Sequence, residues 1–209
     1  MRLELPRIYP ITDRYLSGLS HADQAAQLIA GGARLIQLRE KELSAADFFR
    51  DAQAALSIAR AARVKLIIND RVDIALALGA DGVHVGQDDF PVPAARKLLG
   101  PAALIGFSTH NLEQAAAALT LPIDYVAFGP VFPTATKENP DPTTGLAQLE
   151  KVRALVGSMP LVAIGGLTSL TIPKALAAGA DSAAVVSQLF THRGSIAENL
   201  RKLATLAVQ

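Results

Sequence analysis

The sequence predicts a single-domain (β/α)8 TIM barrel across residues 1–209, and three observations lead there. Eight short β-branched runs recur between longer Ala/Leu-rich segments. Those longer segments repeat their apolar positions at helical spacing. A glycine junction, Ala30-Gly31-Gly32-Ala33, Leu78-Gly79-Ala80-Asp81 and Ala178-Gly179-Ala180-Asp181, closes a helix just before a strand three times. Glycine accepts the left-handed backbone that ends a helix without a steric penalty, so these junctions read as punctuation between α and β.

In order, the predicted strands are Arg7–Thr12, Leu35–Arg39, Lys65–Asn69, Gly82–Gly86, Leu104–Ser108, Tyr125–Gly129, Leu161–Gly165 and Ser182–Val186. The first follows a start, MRLELPRIYPITDR, in which charges and prolines interrupt any apolar run. The second ends in QLREK, where Gln37, Arg39 and Lys41 alternate behind Leu35 and Ile36. Alternation on an extended chain sends all three polar side chains to one side, so this face is either solvated or ligand-facing. SAADFFRDAQAALSIARAA comes next, a helix whose opening serine can cap the first turn. Eight alternating units in about 200 residues sit at the short end of the barrel's usual range. A doubly wound open sheet is the competing arrangement.

Composition excludes several classes. Half the residues are hydrophobic, which supports one sizeable core, and a formal net charge of +1 argues against a dedicated nucleic-acid surface. With no cysteine, there is neither a disulfide framework nor a thiolate metal site. No stretch reaches the ~18 apolar residues of a membrane span. The expectation is a soluble cytoplasmic protein with no nucleic-acid or membrane partner; homo-oligomerisation is left open.

In a barrel, chemistry collects at the C-terminal ends of the strands. The predicted ends are polar: Gln37, Arg39 and Lys41; Asn69, Asp70 and Arg71; Gly86 to Asp89; Ser108 to His110; Pro130 to Lys137; Gly165 and Gly166; Ser187. Gly165-Gly166 beside Ser187 suits a phosphate held by backbone N–H groups, or is a plain turn with a capping serine. Asp70 and Asp89 stand beside the cations Arg39, Lys41 and Lys137. That set is either a group of salt bridges or a Mg²⁺ site, since Mg²⁺ takes one or two protein carboxylates with waters and substrate phosphate oxygens. His110 reads more readily as a hydrogen-bonding side chain than as a base. Arg71 and Asp73 read equally well as a pair at a helix start. Neither a Ser-His-Asp arrangement nor a zinc spacing is present.

YPITD (9–13), QLREK (37–41), NDR (69–71), DGVHVGQDD (81–89), GFSTH (106–110), FGPVFPTATK (128–137), VAIGG (162–166) and VVS (185–187) occur in order on these strand ends. With this set the chain resembles the thiamine-phosphate synthase family along nearly all its length. The resemblance implies a transferase of thiamine biosynthesis that joins a hydroxymethylpyrimidine diphosphate to a hydroxyethylthiazole phosphate, with Mg²⁺, releasing pyrophosphate. It assigns Gln37, Arg39, Lys41, Asn69, Ser108 and Lys137 to the pyrimidine diphosphate, with Leu38 and Glu40 in the same stretch. Asp70 and Asp89 become the metal ligands. Thr134, Ala135, Thr136, Gly166, Val186 and Ser187 fall to the thiazole phosphate, and Arg39, Lys41, Ser108 and Lys137 carry the catalytic assignment. A thiazole tautomerase, or a non-catalytic phosphate-binding relative on the same scaffold, are the alternatives.

Overall fold

The structure, a computed structural model, describes residues 3–134, 142–191 and 194–207. The eight strands are β1 (Ile8–Thr12), β2 (Leu35–Leu38), β3 (Lys65–Asn69), β4 (Gly82–Val85), β5 (Leu104–Thr109), β6 (Tyr125–Phe128), β7 (Leu161–Ala163) and β8 (Ser182–Val185). They pair in sequence order, all parallel, and β8 returns to β1 to close the barrel. This is the (β/α)8 architecture expected, and the closed ring excludes the open sheet. Most strands stop one or two residues earlier than their apolar runs suggest, while β5 runs one further, to Thr109.

Among the described residues the helices are α1 (Arg14–Ser17), α2 (His21–Ala30), α3 (Ala45–Ala61), α4 (Val72–Leu78), α5 (Val92–Leu99), α6 (Leu112–Ala118), α7 (Leu146–Val156), α8 (Ile172–Ala177) and α9 (Ile196–Leu206), with a 3-10 turn at Ser187–Phe190 before α9. Ser44 caps α3 as its position predicts, its side chain accepting from the Asp47 N–H. The three junctions also behave as punctuation: Gly32, Gly79 and Gly179 take φ of 95°, 62° and 101°, whereas Gly31 remains in the right-handed region.

Strands buried on both faces separate two cores. The outer one joins sheet to helices through residues such as Ile36, Leu38, Leu66, Ile68, Phe48 and Leu28. The inner one fills the barrel with Tyr9, Ile11, Leu35, Ile67, Tyr125, Ala127, Val162 and Ala184. Because successive strand residues alternate between these cores, Gln37 shares the inward side with Leu35, and Leu38 goes outward. The polar residues stand on top of the inner core, at the C-terminal end. No described helix is long and apolar enough to cross a membrane.

Candidate active site

A cavity of about 550 Å³ opens at the C-terminal ends of the strands. Its wall includes Gln37, Arg39, Lys41, Asn69, Asp70, Asp89, Ser108, Thr134, Gly166, Val186 and Ser187, so strand ends that the sequence singled out converge on one space. Ala135, Thr136 and Lys137 lie outside the described residues. Leu38 and Glu40 do not line the cavity. Leu38 is fully buried in the outer core, as strand alternation requires of a neighbour of Gln37. Glu40 turns back beneath its own loop: Oε1 accepts the N–H groups of Lys41, Glu42 and Leu43, and Oε2 meets His21 Nε2 at 3.1 Å.

That backward turn fixes the loop carrying Arg39 and Lys41. Burial pushes the Glu40 carboxyl up, but the Glu42 and Leu43 N–H groups and His21 outweigh it, and Glu40 stays below the usual carboxylate range. His21 is fully buried, with Nδ1 2.7 Å from Thr12 Oγ1. Burial lowers its pKa against the opposing pull of Glu40. Arg39 donates to Asp13 Oδ2 at 3.1 Å, and Asp13 in turn caps α1 by accepting the Leu16 N–H. The arginine therefore reaches the cavity from an oriented base.

Opposite it, Lys41 Nζ bonds Asp70 Oδ2 at 2.5 Å, so the two are partners before any ligand arrives. Asp70 takes a left-handed φ of 61°, a conformation disfavoured for a residue with a side chain, and its N–H donates to the His84 carbonyl of β4 at 2.8 Å. Burial raises the Asp70 pKa, Lys41 lowers it, and the neighbouring Asp89 carboxylate raises it further by charge and by direct hydrogen bonding; the net direction is up. Asp89 is held from below by the Gly86 N–H at 2.7 Å. Two carboxylates thus face one another at the edge of the cavity, with Lys41 paired to Asp70.

Across the mouth, Gly165 and Gly166 have φ of 93° and 62°. A Cβ on Gly166 would lie 2.4 Å from the Pro133 carbonyl oxygen and 2.7 Å from Phe132 Cβ. The pair is therefore needed for packing as well as for any ligand: the segment after β6 lies against it, with Phe132 N–H donating to the Gly165 carbonyl at 3.1 Å. The N–H groups of Gly166 and Ser187 donate to no acceptor among the described residues. Both residues line the cavity.

His110 Nδ1 donates to the Gly129 carbonyl at 2.7 Å, a structural bond of the kind its position suggests. Arg71 and Asp73 pair at the start of α4. Sequence reasoning did not single out Tyr9, His84 and Tyr125. These buried polar side chains link the barrel interior to Ser108: His84 Nε2 lies 2.8 Å from Ser108 Oγ and His84 Nδ1 lies 3.0 Å from the Tyr125 hydroxyl. Burial drives the His84 pKa down to about 4 and the Tyr9 pKa up to about 12. The available signal was a polar aromatic at inward-facing strand positions where an aliphatic is usual.

Residues 8–189 match the family model described as thiamine monophosphate synthase. The chain is 44% identical over 190 residues to a thiamine-phosphate synthase of Albidiferax ferrireducens, covering 90% of this chain and 86% of that one. It is 42% identical over 202 residues to the thiamine-phosphate synthase of Methanospirillum hungatei, covering 96% and 97%. Among solved structures, the thiamine phosphate pyrophosphorylase from Pyrococcus furiosus superposes with a TM-score of 0.86 at 30% identity, covering 97% of this chain and 95% of that one. With the match spanning every strand of the barrel, the chain belongs to the thiamine monophosphate synthase family.

Proposed function

We propose that the protein is a thiamine-phosphate synthase. It would join 4-amino-2-methyl-5-(diphosphooxymethyl)pyrimidine to 4-methyl-5-(2-phosphooxyethyl)thiazole, giving thiamine phosphate and pyrophosphate. The observation that carries this reading is one cavity with two unlike polar edges, each suited to an anion. One edge has Arg39, Lys41 and the carboxylates Asp70 and Asp89; the other has Gly166 and Ser187 with their N–H groups. A transfer between a diphosphate and a monophosphate needs both.

The donor set also fits Mg²⁺: two hard carboxylate oxygens face each other at a cost in repulsion that a cation would relieve, and Mg²⁺ is commonly held by one or two carboxylates plus substrate oxygens. Asp70 and Asp89 would hold it, and when bound it supplies positive charge to the diphosphate. The remaining work belongs to the chain. Gln37, with an amide that both donates and accepts, suits the aminopyrimidine ring. Arg39 offers a planar fork to phosphate oxygens, Lys41 a movable point charge, and Ser108 and Asn69 add hydrogen bonds. Pyrophosphate departs from the ring methylene, whose positive charge the aminopyrimidine delocalises, and the thiazole nitrogen then bonds that carbon. No protein nucleophile is required, so catalysis consists of electrostatic preorganisation and alignment. Thr134 and Val186 complete the thiazole side.

Purified protein given both substrates and Mg²⁺ should release pyrophosphate and thiamine phosphate together, and omission of any one should abolish both. Folded protein that instead isomerises a thiazole phosphate without the pyrimidine would be a tautomerase. Binding of the thiazole phosphate without turnover would make it a ligand-binding relative.

A further inference from the structure

Five side chains from five strands form one unbroken line of hydrogen bonds through the barrel. Gln37 Nε2 donates to the Tyr9 hydroxyl at 3.2 Å. The Tyr9 and Tyr125 hydroxyls are 3.1 Å apart, Tyr125 meets His84 Nδ1 at 3.0 Å, and His84 Nε2 meets Ser108 Oγ at 2.8 Å. Both ends, Gln37 and Ser108, line the cavity. The space for this line exists because residue 106 is glycine: a Cβ there would lie 2.1 Å from Tyr125 Cζ and 2.4 Å from His84 Nδ1.

Counting protons gives the line a direction. Each tyrosine has one hydroxyl proton. Tyr9 is buried, and among the described residues its hydroxyl meets only Gln37 and Tyr125. Because Gln37 donates to it, the Tyr9 proton has one acceptor, the Tyr125 oxygen. The Tyr125 proton must then go to His84 Nδ1, which leaves the ring proton on Nε2, donated to Ser108 Oγ. Ser108 cannot spend its own proton on His84, so that proton points into the cavity. With Gln37 donating to Tyr9, any other assignment strands a buried hydroxyl proton.

We infer that Tyr9, Tyr125 and His84 are positioning residues that transmit the orientation of the Gln37 amide to Ser108 and present its hydroxyl as a hydrogen-bond donor to an anion in the cavity. The donor role toward a phosphate rests on the function proposed above; the direction of the line does not. Gln37 is then both a wall of the site and the group that sets the polarity of a donor on the far side of the barrel. A carboxylate at residue 37 can only accept, so Gln37→Glu reverses every bond in the line and turns the Ser108 proton inward.

The test is the protonation pattern of His84, read by ¹⁵N NMR of histidine-labelled full-length protein at pH 8, with inorganic pyrophosphate as the binding probe. His84 should carry its proton on Nε2 in the unaltered protein and on Nδ1 in Gln37→Glu. Adding Tyr9→Phe to Gln37→Glu cuts the line and should return the proton to Nε2, which repulsion from the new carboxylate alone could not do. In the Nε2 state, Ser108→Ala should weaken pyrophosphate about tenfold; in Gln37→Glu it should change nothing. A His84 ring protonated on Nδ1 at the outset, or a pattern unmoved by Gln37→Glu, overturns the inference, and the unaltered protein alone decides the first of these should a variant not fold. If the unaltered protein binds no pyrophosphate, the proposed function fails while the tautomer experiment still decides the line.

Discussion

Asp89 sets stability against the metal role proposed for it at a single residue. Its carboxylate faces Asp70, whose pKa burial and that neighbour hold above the ordinary value, so at neutral pH the charged Asp70 carboxylate opposes folding. Asp89→Asn keeps an oxygen for the Gly86 N–H and replaces repulsion with an amide donor to Asp70. Thermal denaturation of that variant should show a gain of about 1 kcal/mol, together with a large loss of Mg²⁺-dependent turnover. A variant both less stable and fully active would remove Asp89 from the proposed metal site. Gly166→Ala should do the opposite to stability. A Cβ pressed onto the Pro133 carbonyl at a φ of 62° should cost about 1–3 kcal/mol in urea denaturation and displace the segment after β6.

At the scale of the elements, the end of the barrel away from the cavity carries a repeated clamp. Asp81, Asp124 and Asp181, each just before an even-numbered strand, accept the N–H of Leu66, Ile105 and Leu161 near the starts of the preceding odd-numbered strands. Arg96 then braces Asp124 and the carbonyls of Gly100, Ala103 and Pro122, while Arg153 braces Asp181 and the carbonyls of Gly157 and Met159. Asp124→Ala leaves the Ile105 N–H and the Arg96 guanidinium without this partner. Equilibrium unfolding should report a loss of about 1–3 kcal/mol, with kcat unchanged in the remaining folded protein, because this face holds the barrel and the proposed site lies at the opposite one. The sequence showed two of these aspartates as part of its glycine junctions but not their acceptor role, since the N–H groups they meet lie 15 to 20 residues away. The strands were legible because their apolar runs are buried on both faces. Gln37, Asn69 and Ser108 were legible because a polar side chain at the C-terminal end of an apolar strand must meet either water or a ligand. Glu40 stands off the cavity together with Leu38, because the alternation that turns Gln37, Arg39 and Lys41 to one side sends residues 38 and 40 to the other. Tyr9, His84 and Tyr125 were hidden because their partnership crosses the barrel, over 41 and 116 residues of sequence.

For the whole molecule, these buried groups set the response to acid. His84 is held neutral in the fold with its pKa lowered by burial to about 4, and His21 is lowered in the same direction. An unfolded chain lets both histidines take up protons near the ordinary value of about 6.5, so between that pH and the folded values the unfolded state binds more protons and stability falls on acidification. For His84 alone the loss across this window approaches about 3 kcal/mol. Glu40 adds to it at lower pH: its carboxylate is favoured in the fold, so its contribution is present above the ordinary carboxylate value and disappears as pH falls through its lower folded pKa. The groups facing His21 are Glu40 and Asp51, which favour its protonated form, and Arg14, which opposes it. His21→Gln removes one titrating group while an amide can still meet Thr12 and Glu40. Melting temperature measured from pH 8 to pH 4 should decline below about pH 6.5 in the unaltered protein and less steeply in His21→Gln. The loop bearing Arg39 and Lys41 is tied to this network through Glu40, so pyrophosphate affinity should fall in parallel with stability. A flat melting profile above pH 5 would mean that neither buried imidazole is held neutral.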